Sequence, residues 1–206
     1  MDFEQLKNIL VSKKLPGWNV QKELSPPYRG EFTLEKIRAN NPIESSVLIV
    51  LYKKNGRFFF PVILRSVYEG IHSGQIGLPG GKKESFDLSC KDTALRETHE
   101  ELGLEESKLE IVKNLTPLYI PPSNFYVQPY IAFYKESDFV FDTDKTEVQK
   151  VFEIELHKFL FETEVMQKPH PAIVNKSEVP AFQYNDIMIW GATAMMLNEF
   201  KFLLKN

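Results

Sequence analysis

Hydrophobic positions at the start of the chain recur with helical spacing and then give way to polar sequence. Between Asp2 and Leu15, apolar residues at positions 3, 6, 9 and 10 fall on one side of a helix, and Pro16-Gly17 ends the pattern. Residues 18–42 hold three prolines among polar residues, which favours an irregular arm. We therefore predict an N-terminal helix and arm over residues 1–41 and a domain over residues 42–206.

From Ser46 onward, apolar runs of strand length alternate with turn residues. The runs 46–54 and 57–65 are joined by Asn55-Gly56. This pair predicts a β-hairpin, because a type I′ turn needs positive φ at both central residues. A glycine-punctuated loop over residues 69–81 follows, and a helical period then predicts a helix over 88–102.

The second half of the chain continues this mixture of strands and helices. A proline-containing segment predicts a loop over 162–183, and a final amphipathic run predicts a helix over 191–204. Strands are expected at 111–120, 127–134, 151–156 and 186–190. Together these elements predict an α/β domain whose sheet is at least partly antiparallel.

Composition and charge narrow the classes of function. The chain has 206 residues, of which 43% are hydrophobic and 13% aromatic, so it can bury a core and intrinsic disorder is excluded. Its 25 basic and 28 acidic residues leave a net charge of −3, which argues against a nucleic-acid-binding protein. A local basic pocket for a phosphate-bearing small molecule stays compatible with this balance.

Two further features concern the cellular compartment. Cys90 is the single cysteine, so no intramolecular disulfide can form, and a reducing compartment is expected. The N-terminus carries acids where a signal peptide carries positive charge, and no apolar stretch approaches the ~18–20 residues that cross a bilayer. We expect a soluble, cytoplasmic protein without a membrane partner.

The segment from Gly77 to Leu104 carries the chemistry. Ser89 with Asp92 resembles a capping box and Gly103 suits the end of a helix. On that helix, acids at positions 97, 100 and 101 lie one turn apart and repel one another. A hard divalent cation would compensate this repulsion, because Mg²⁺ takes a few carboxylates together with substrate phosphates.

The neighbouring residues fit the same chemistry. Gly80-Gly81 lets the backbone approach a ligand closely, and Lys82, Lys83 and Arg96 supply positive charge. The pattern therefore indicates metal-assisted cleavage of a phosphate anhydride. Acidic clusters on helices are usually solvated faces. Six fixed positions at ~6% each, over roughly 200 start positions, nevertheless match by chance only about 10⁻⁵ of the time.

This segment resembles the Nudix box of the Nudix hydrolases. In this chain Gly81 is followed by five residues, Asp87, eight residues and then the run from Arg96 to Leu104. It departs from the usual pattern in having Asp87 in place of Glu, a longer second spacer and Thr98 in place of an aliphatic residue. The coenzyme A pyrophosphatase branch of the family shows the same departures.

The resemblance to that branch continues outside the box, over about residues 42–203. Upstream it rests on Leu64-Arg65-Ser66, His72-Ser73-Gly74-Gln75 and Leu78-Pro79-Gly80-Gly81. Downstream it rests on Pro121-Pro122-Ser123-Asn124-Phe125 with Val127 and Pro129, Glu147-Val148 before Phe152, and Ile189-Trp190-Gly191-Ala192-Thr193-Ala194.

The resemblance implies an α/β/α sandwich around a mixed sheet. It also implies hydrolysis of coenzyme A, acyl-CoA or oxidised CoA that depends on Mg²⁺ or Mn²⁺. Coenzyme A would give 3′,5′-ADP and 4′-phosphopantetheine. The metals would neutralise the diphosphate and position a water for in-line attack on phosphorus.

The same resemblance suggests a role for each residue. Glu97 and Glu101 are expected to be metal ligands. Glu100 is expected to be a third ligand or the group that accepts a proton from water, and Arg96 to orient a ligand carboxylate. Asp87 is expected to cap the helix or to lie behind the ligands. Glu147 is expected to be a further catalytic acid or, with equal weight, a solvated residue at the edge of a strand.

Candidate substrate contacts complete the predicted site. They are Arg65, His72, Gly80, Gly81 and Lys82, each of which could equally have a structural or surface role. Two rival functions stay open. One is hydrolysis of another nucleoside diphosphate derivative, and the other is nucleotide binding without turnover, which the three acids of the box weigh against. A homodimer is also possible.

Overall fold

The computed structural model of the chain describes residues 1–67, 72–136, 138–169 and 178–205. Within these residues the α-helices are α1 (Phe3–Ser12), α2 (Trp18–Gln21), α3 (Leu34–Ala39), α4 (Cys90–Leu102), α5 (Leu156–Phe161) and α6 (Gly191–Lys205). The strands are β1 (Ile43–Lys54), β2 (Arg57–Arg65), β3 (Ile76–Gly77), β4 (Gly80–Lys82), β5 (Leu109–Asn114), β6 (Leu118–Ile120), β7 (Phe125–Tyr134), β8 (Val148–Glu155), β9 (Val165–Lys168), β10 (Val179–Tyr184) and β11 (Ile187–Trp190).

The long strand β1 is central to a mixed, eight-stranded sheet. It pairs in parallel with β7 over ten residues and antiparallel with β2 and β4. The sheet order is β3-β2-β1-β7-β5, with β8 on β2 and β6 on β7. The predicted hairpin turn is confirmed, since Asn55 and Gly56 have φ of 51° and 75°. A second, antiparallel sheet has the order β11-β10-β9.

Helices cover both faces of the main sheet, which explains why β1 is apolar at successive positions. Leu48 and Val50 pack with Ala94 and Leu102 of α4 on one face. The alternate residues of β1 pack on the other face, in a larger core that includes side chains of α1, α5 and α6. Side chains of a strand point alternately to opposite faces, so covering both faces requires a continuous apolar run. The architecture is the predicted α/β/α sandwich.

The N-terminal segment belongs to the same core as the sheet. Leu6, Leu10 and Leu24 are buried in the larger core cluster. The residues predicted to be an irregular arm include α2, a 3₁₀ turn and α3, so that prediction was wrong in part. Helix α3 forms because the Thr33 side chain caps it and Ile37 is buried. The boundary between residues 41 and 42 stays a prediction.

A buried carboxylate on α6 fixes this segment. Glu199 is fully buried and accepts hydrogen bonds from the Gly17 backbone N–H (3.2 Å) and from Gln21 Nε2 (3.0 Å). It also accepts from the backbone N–H (3.0 Å) and the hydroxyl (2.6 Å) of Thr116. The adjacent Asn198 donates to the backbone oxygen of Val20 at 2.8 Å. The segment before β1 is therefore held against α6.

The structure corrects several predicted elements. The strand expected at 111–120 is divided into β5 and β6, since Pro117 between them has no N–H to donate to a ladder. The strand expected to end at 156 ends one residue earlier, where α5 begins. The loop expected over 162–183 contains the paired strands β9 and β10, because the buried apolar run of β10 outweighs its proline. Parts of two predicted loops, residues 68–71 and 170–177, lie outside the described residues.

Candidate active site

Helix α4 carries the acidic residues; it ends at the predicted Leu102 and begins at Cys90, two residues after the predicted start. The Ser89 side chain caps its first turn by accepting from the backbone N–H of Asp92, and Gly103 follows the helix in the left-handed conformation with φ of 70°. Thr98 and Leu102 are fully buried toward the sheet. Glu101 follows Thr98 by three positions and so lies on the same side of the helix, and it is fully buried.

Three carboxylates converge at the side of α4 that faces the sheet. Glu97, Glu101 and Glu147 each offer an oxygen, and these atoms all lie within 4.8 Å of one another. Glu147 comes from the segment before β8 and is exposed, whereas Glu97 is half-buried. Burial raises the pKa of Glu101 to about 7 and also raises the pKa of Glu97. Two of the three carboxylates are thus partly or fully desolvated, and the close approach of all three favours a cation.

Neighbouring groups fix the position of Glu101. Its Oε2 accepts a hydrogen bond from the backbone N–H of Gly80 at 2.7 Å, and its Oε1 lies 3.1 Å from Nη1 of Arg65. Arg65 also donates from Nη2 to the Gly80 carbonyl at 2.7 Å. The sequence suggested Arg65 as a phosphate contact. In the structure its guanidinium holds Glu101 and the glycine strand together, and the contact to substrate stays a prediction.

Arg96 orients the second carboxylate, as the sequence suggested. Its Nη1 donates to Glu97 and to Glu100 at 2.8 Å each. Asp87 fixes the guanidinium from behind by accepting from Nε at 3.0 Å and from Nη2 at 2.9 Å. These hydrogen bonds hold the pKa of Asp87 well below its usual range. Arg96 is therefore a positioning residue that links Asp87 to Glu97.

Glu100 does not join the converging carboxylates among the described residues. Its side chain is 53% exposed and pairs with Arg96. A turn of 3.6 residues places Glu101, four positions after Glu97, closer to the same line along the helix than Glu100, which diverges toward solvent. Glu147 therefore stands in the third position, which was predicted for Glu100. The predicted roles of Glu100 as ligand or base stay predictions without support from this geometry.

The glycine pair lets β4 approach both β1 and the acids. A Cβ at Gly80, whose φ is 144°, would lie 2.2 Å from the backbone oxygen of Ser46. A Cβ at Gly81 would lie 2.5 Å from the carboxylate carbon of Glu97. The first glycine is required by the backbone and the second by the ligand carboxylate. Lys82 follows them with its side chain 55% exposed and 3.7 Å from Glu84.

A cavity of about 660 Å³ opens beside the acids, within the range of small-molecule sites. Its lining includes Glu97, Glu147 and the predicted substrate contacts Arg65, His72, Gly80, Gly81 and Lys82. The His72 ring stacks on Phe125 with 6.3 Å between centroids, and its buried Nε2 has no hydrogen-bond partner among the described residues. Burial lowers the pKa of His72, so a neutral imidazole faces the cavity.

Comparison with known proteins identifies the family. A family model described as the NUDIX domain matches residues 42–177. The chain belongs to the Nudix family. The "MutT/nudix family protein" from Enterococcus faecalis has a similar fold, with a TM-score of 0.50 and 12% identity over 97% of this chain and 73% of that one.

Two Nudix relatives are similar in sequence. "Nudix hydrolase 15, mitochondrial" from Arabidopsis thaliana is 32% identical over 76% of this chain and 56% of its own length. "Peroxisomal coenzyme A diphosphatase NUDT7" from Mus musculus is 30% identical over 68% of this chain and 59% of its own length. This chain therefore spans between a half and two thirds of the length of these relatives.

The Nudix box of this chain accommodates its departures from the usual pattern. Asp87, in place of Glu, makes the two bonds that hold Arg96. Thr98, in place of an aliphatic residue, is fully buried, but its hydroxyl donates to the Ala94 carbonyl at 2.7 Å. No polar group of Thr98 is therefore left unpaired by burial. Neither change disturbs the acidic site.

Both flanks of the Nudix match also line the cavity. Sequence reasoning missed the N-terminal group, and it named the motif at 189–194 without assigning its residues to the substrate site. Pro26, Tyr28 and Arg29 come from the N-terminal segment, and the range 190–196 contributes Trp190, Gly191, Ala192, Thr193 and Met196. No local pattern marks the first group, because its position depends on contacts with α6 far along the chain.

No helix in the described ranges is long and apolar enough to cross a membrane.

Proposed function

We propose that this Nudix chain hydrolyses the diphosphate bond of coenzyme A or its derivatives with the help of a divalent cation. The products would be 3′,5′-ADP and 4′-phosphopantetheine or its acyl form. The observation that carries the proposal is the convergence of Glu97, Glu101 and Glu147 beside the glycine strand in a cavity of ligand size. The coenzyme A diphosphatase among the relatives supports the choice of substrate.

The three carboxylates fit a hard cation. Their oxygens lie within 4.8 Å of one another, and the raised pKa of Glu97 and Glu101 reflects the burial of both carboxylates. Oxygen donors of this kind suit Mg²⁺ or Mn²⁺. When bound there, the cation would supply charge neutralisation at the diphosphate. Glu97, Glu101 and Glu147 would hold it.

The protein residues would position the reacting groups. Arg65 and the Gly80 N–H fix Glu101, and Arg96 fixes Glu97, so two carboxylates are preorganised before substrate arrives. Glu147 is the exposed carboxylate of the three. It is therefore the acid best placed to accept the proton of the attacking water. His72 lines the same cavity with its ring stacked on Phe125, and its contact to substrate stays a prediction.

The test is turnover of a substrate panel with Mg²⁺ and with Mn²⁺. Coenzyme A, ADP-ribose, NADH and a dinucleoside polyphosphate are incubated with the protein, and the products are separated by chromatography. We expect 3′,5′-ADP from coenzyme A. If another diphosphate is cleaved while coenzyme A stays intact, the proposed substrate is wrong and the cleaved compound takes its place. If the protein binds a nucleotide tightly and hydrolyses none of these substrates, it is a nucleotide-binding sensor and not a hydrolase.

Matched variants then test the acidic site. Glu101→Gln and Glu147→Gln keep the side-chain shape and remove a ligand charge, and we expect each to lose about a hundredfold or more in kcat/KM. Glu100→Gln is the control on the same helix and should lose less than about tenfold. A large loss in Glu100→Gln with a small loss in Glu147→Gln would restore Glu100 as the third acid.

A further inference from the structure

A guanidinium from the N-terminal segment borders the same cavity. Arg29 lies outside the residues that the NUDIX model matches, yet it lines the cavity together with Pro26 and Tyr28. Its Nη2 donates to the carbonyl of Tyr119 in β6, and its Nη1 contacts the sulfur of Met195 in α6. The acids are held instead by β2, β4 and α4. The two charged centres therefore belong to different walls of the cavity.

The positive charge of Arg29 has no acidic partner among the described residues. No carboxylate in these ranges lies within ion-pair distance of Arg29, whereas Arg65 pairs with Glu101 and Lys82 lies beside Glu84. Burial lowers the pKa of Arg29 to about 10, and its buried Nε has no hydrogen-bond partner in the described structure. A charge that is removed from water and has no counter-charge raises the free energy of the protein. Binding of an anion at this wall would therefore be favoured.

The position of Arg29 is preorganised. Its own contacts to the Tyr119 carbonyl and the Met195 sulfur hold the guanidinium, and residues 17–21 before it are held to α6 through Glu199 and Asn198. The guanidinium also lies 5.9 Å from the centroid of the Trp18 ring. A cation that is held in place before binding loses little further freedom when a ligand arrives. Arg29 is thus a suitable recognition group.

We propose that Arg29 binds a phosphate monoester carried on the nucleoside sugar of the substrate, apart from the diphosphate at the acids. Each Nη of Arg29 carries a second N–H beside the one directed at the Tyr119 carbonyl or the Met195 sulfur, and a phosphate oxygen is a strong acceptor for such a charge-assisted hydrogen bond. The inference rests on the proposed function, because coenzyme A carries such a group at its 3′ position. The N-terminal segment thereby selects 3′-phosphorylated nucleotides over those that lack this phosphate.

The test compares coenzyme A with 3′-dephospho-coenzyme A in the full chain and in Arg29→Gln, Arg29→Lys and Arg38→Gln. Arg38 is an exposed arginine of the same segment and provides the matched control. In Arg29→Gln we expect kcat/KM for coenzyme A to fall roughly tenfold or more, mainly through KM, with dephospho-coenzyme A changed by less than about twofold. Arg29→Lys should keep part of the preference, and Arg38→Gln all of it.

Calorimetry with 3′,5′-ADP and with AMP provides a measurement that needs no turnover. The wild-type protein should bind 3′,5′-ADP more tightly, and Arg29→Gln should remove the difference. Equal losses on both substrates, or a wild-type protein without preference in binding, would overturn the proposal for Arg29. Failure to cleave coenzyme A would instead overturn the proposed function, and the binding comparison would still decide the role of Arg29. Should Arg29→Gln melt early, Arg29→Lys keeps the charge and supplies the comparison.

Discussion

Substitution of Gly81 by alanine should damage the site and leave the fold intact. The added Cβ would lie 2.5 Å from the carboxylate carbon of Glu97, whereas ordinary contacts begin at 3.4 Å. The atoms it meets are the end of a flexible side chain, and Gly81 has no positive φ. The backbone can therefore stay in place while the carboxylate withdraws by about an ångström.

A ligand moved by this distance should reduce catalysis strongly. A misplacement of about 1 Å can lower a rate roughly a hundredfold, so we expect kcat/KM of Gly81→Ala to fall by about that factor. The free energy of unfolding should change by less than ~1 kcal/mol. Steady-state hydrolysis of coenzyme A over a range of Mg²⁺ concentrations gives the first quantity, and urea denaturation gives the second.

Two neighbouring glycines provide the controls. In Gly77→Ala the new Cβ would meet Nε of Arg65 at 3.5 Å, an ordinary contact, so activity should stay near wild type. In Gly80→Ala the Cβ would meet backbone atoms, so stability should fall together with activity. Wild-type activity in Gly81→Ala, or a loss of folding as large as in Gly80→Ala, would refute the assignment of Gly81 to the placement of Glu97.

Two further predictions concern stability. Glu199→Ala removes four hydrogen bonds and leaves buried donors of Gly17 and Thr116 unpaired. We expect the free energy of unfolding, measured by urea denaturation, to fall by about 3–5 kcal/mol. The control Glu106→Ala, at an exposed position, should change it little. A loss below ~1 kcal/mol would contradict the anchoring role. Burial lowers the pKa of Lys201 to about 8. Above pH 8 the folded state therefore releases this proton before the unfolded state does, and folding becomes more favourable as the pH rises. We expect the free energy of unfolding, relative to that of Lys201→Met, to increase by about 1–2 kcal/mol toward pH 10. A flat difference between the two proteins over this range would count against burial of the ammonium.

Local signals in the sequence predict most of the fold. The Asn55-Gly56 turn, the Ser89 cap and the glycine after α4 each act within a few residues, and all three are confirmed. The errors lie where tertiary contacts outweigh local preference. β10 forms despite Pro180 because its apolar side chains are buried against the core, and α3 forms in a segment that reads as irregular.

Residue spacing predicts only the part of the candidate site that one helix supplies, whereas Glu147 and Arg65 were named in advance through the family resemblance. Glu97 and Glu101 follow from helical spacing. Glu147, Arg65 and Arg29 reach the site through strand pairing and through the attachment of the N-terminal segment, which no spacing along the chain encodes. Helical spacing places Glu101 only slightly closer than Glu100 to the line of Glu97, and the contacts of Glu101 with β4 and Arg65 show that it is the acid that faces the site.

Two expectations from the sequence stay predictions. Fractionation of cells would test the cytoplasmic location, and light scattering at several protein concentrations would test the homodimer.

The hydrogen bond between Glu199 and Gly17 joins residues 182 positions apart in the chain. The part of the cavity that depends on this contact is therefore expected to form late in folding. Contacts between residues so distant in sequence slow folding, because a long loop must close before they form. During synthesis the N-terminal helix leaves the ribosome long before α6 exists to cover it. Until α6 is made, the core leucines of α1, Leu6 and Leu10, are exposed to solvent or make temporary contacts. The nascent protein would thus be most prone to aggregation just before the wall that carries Arg29 is assembled.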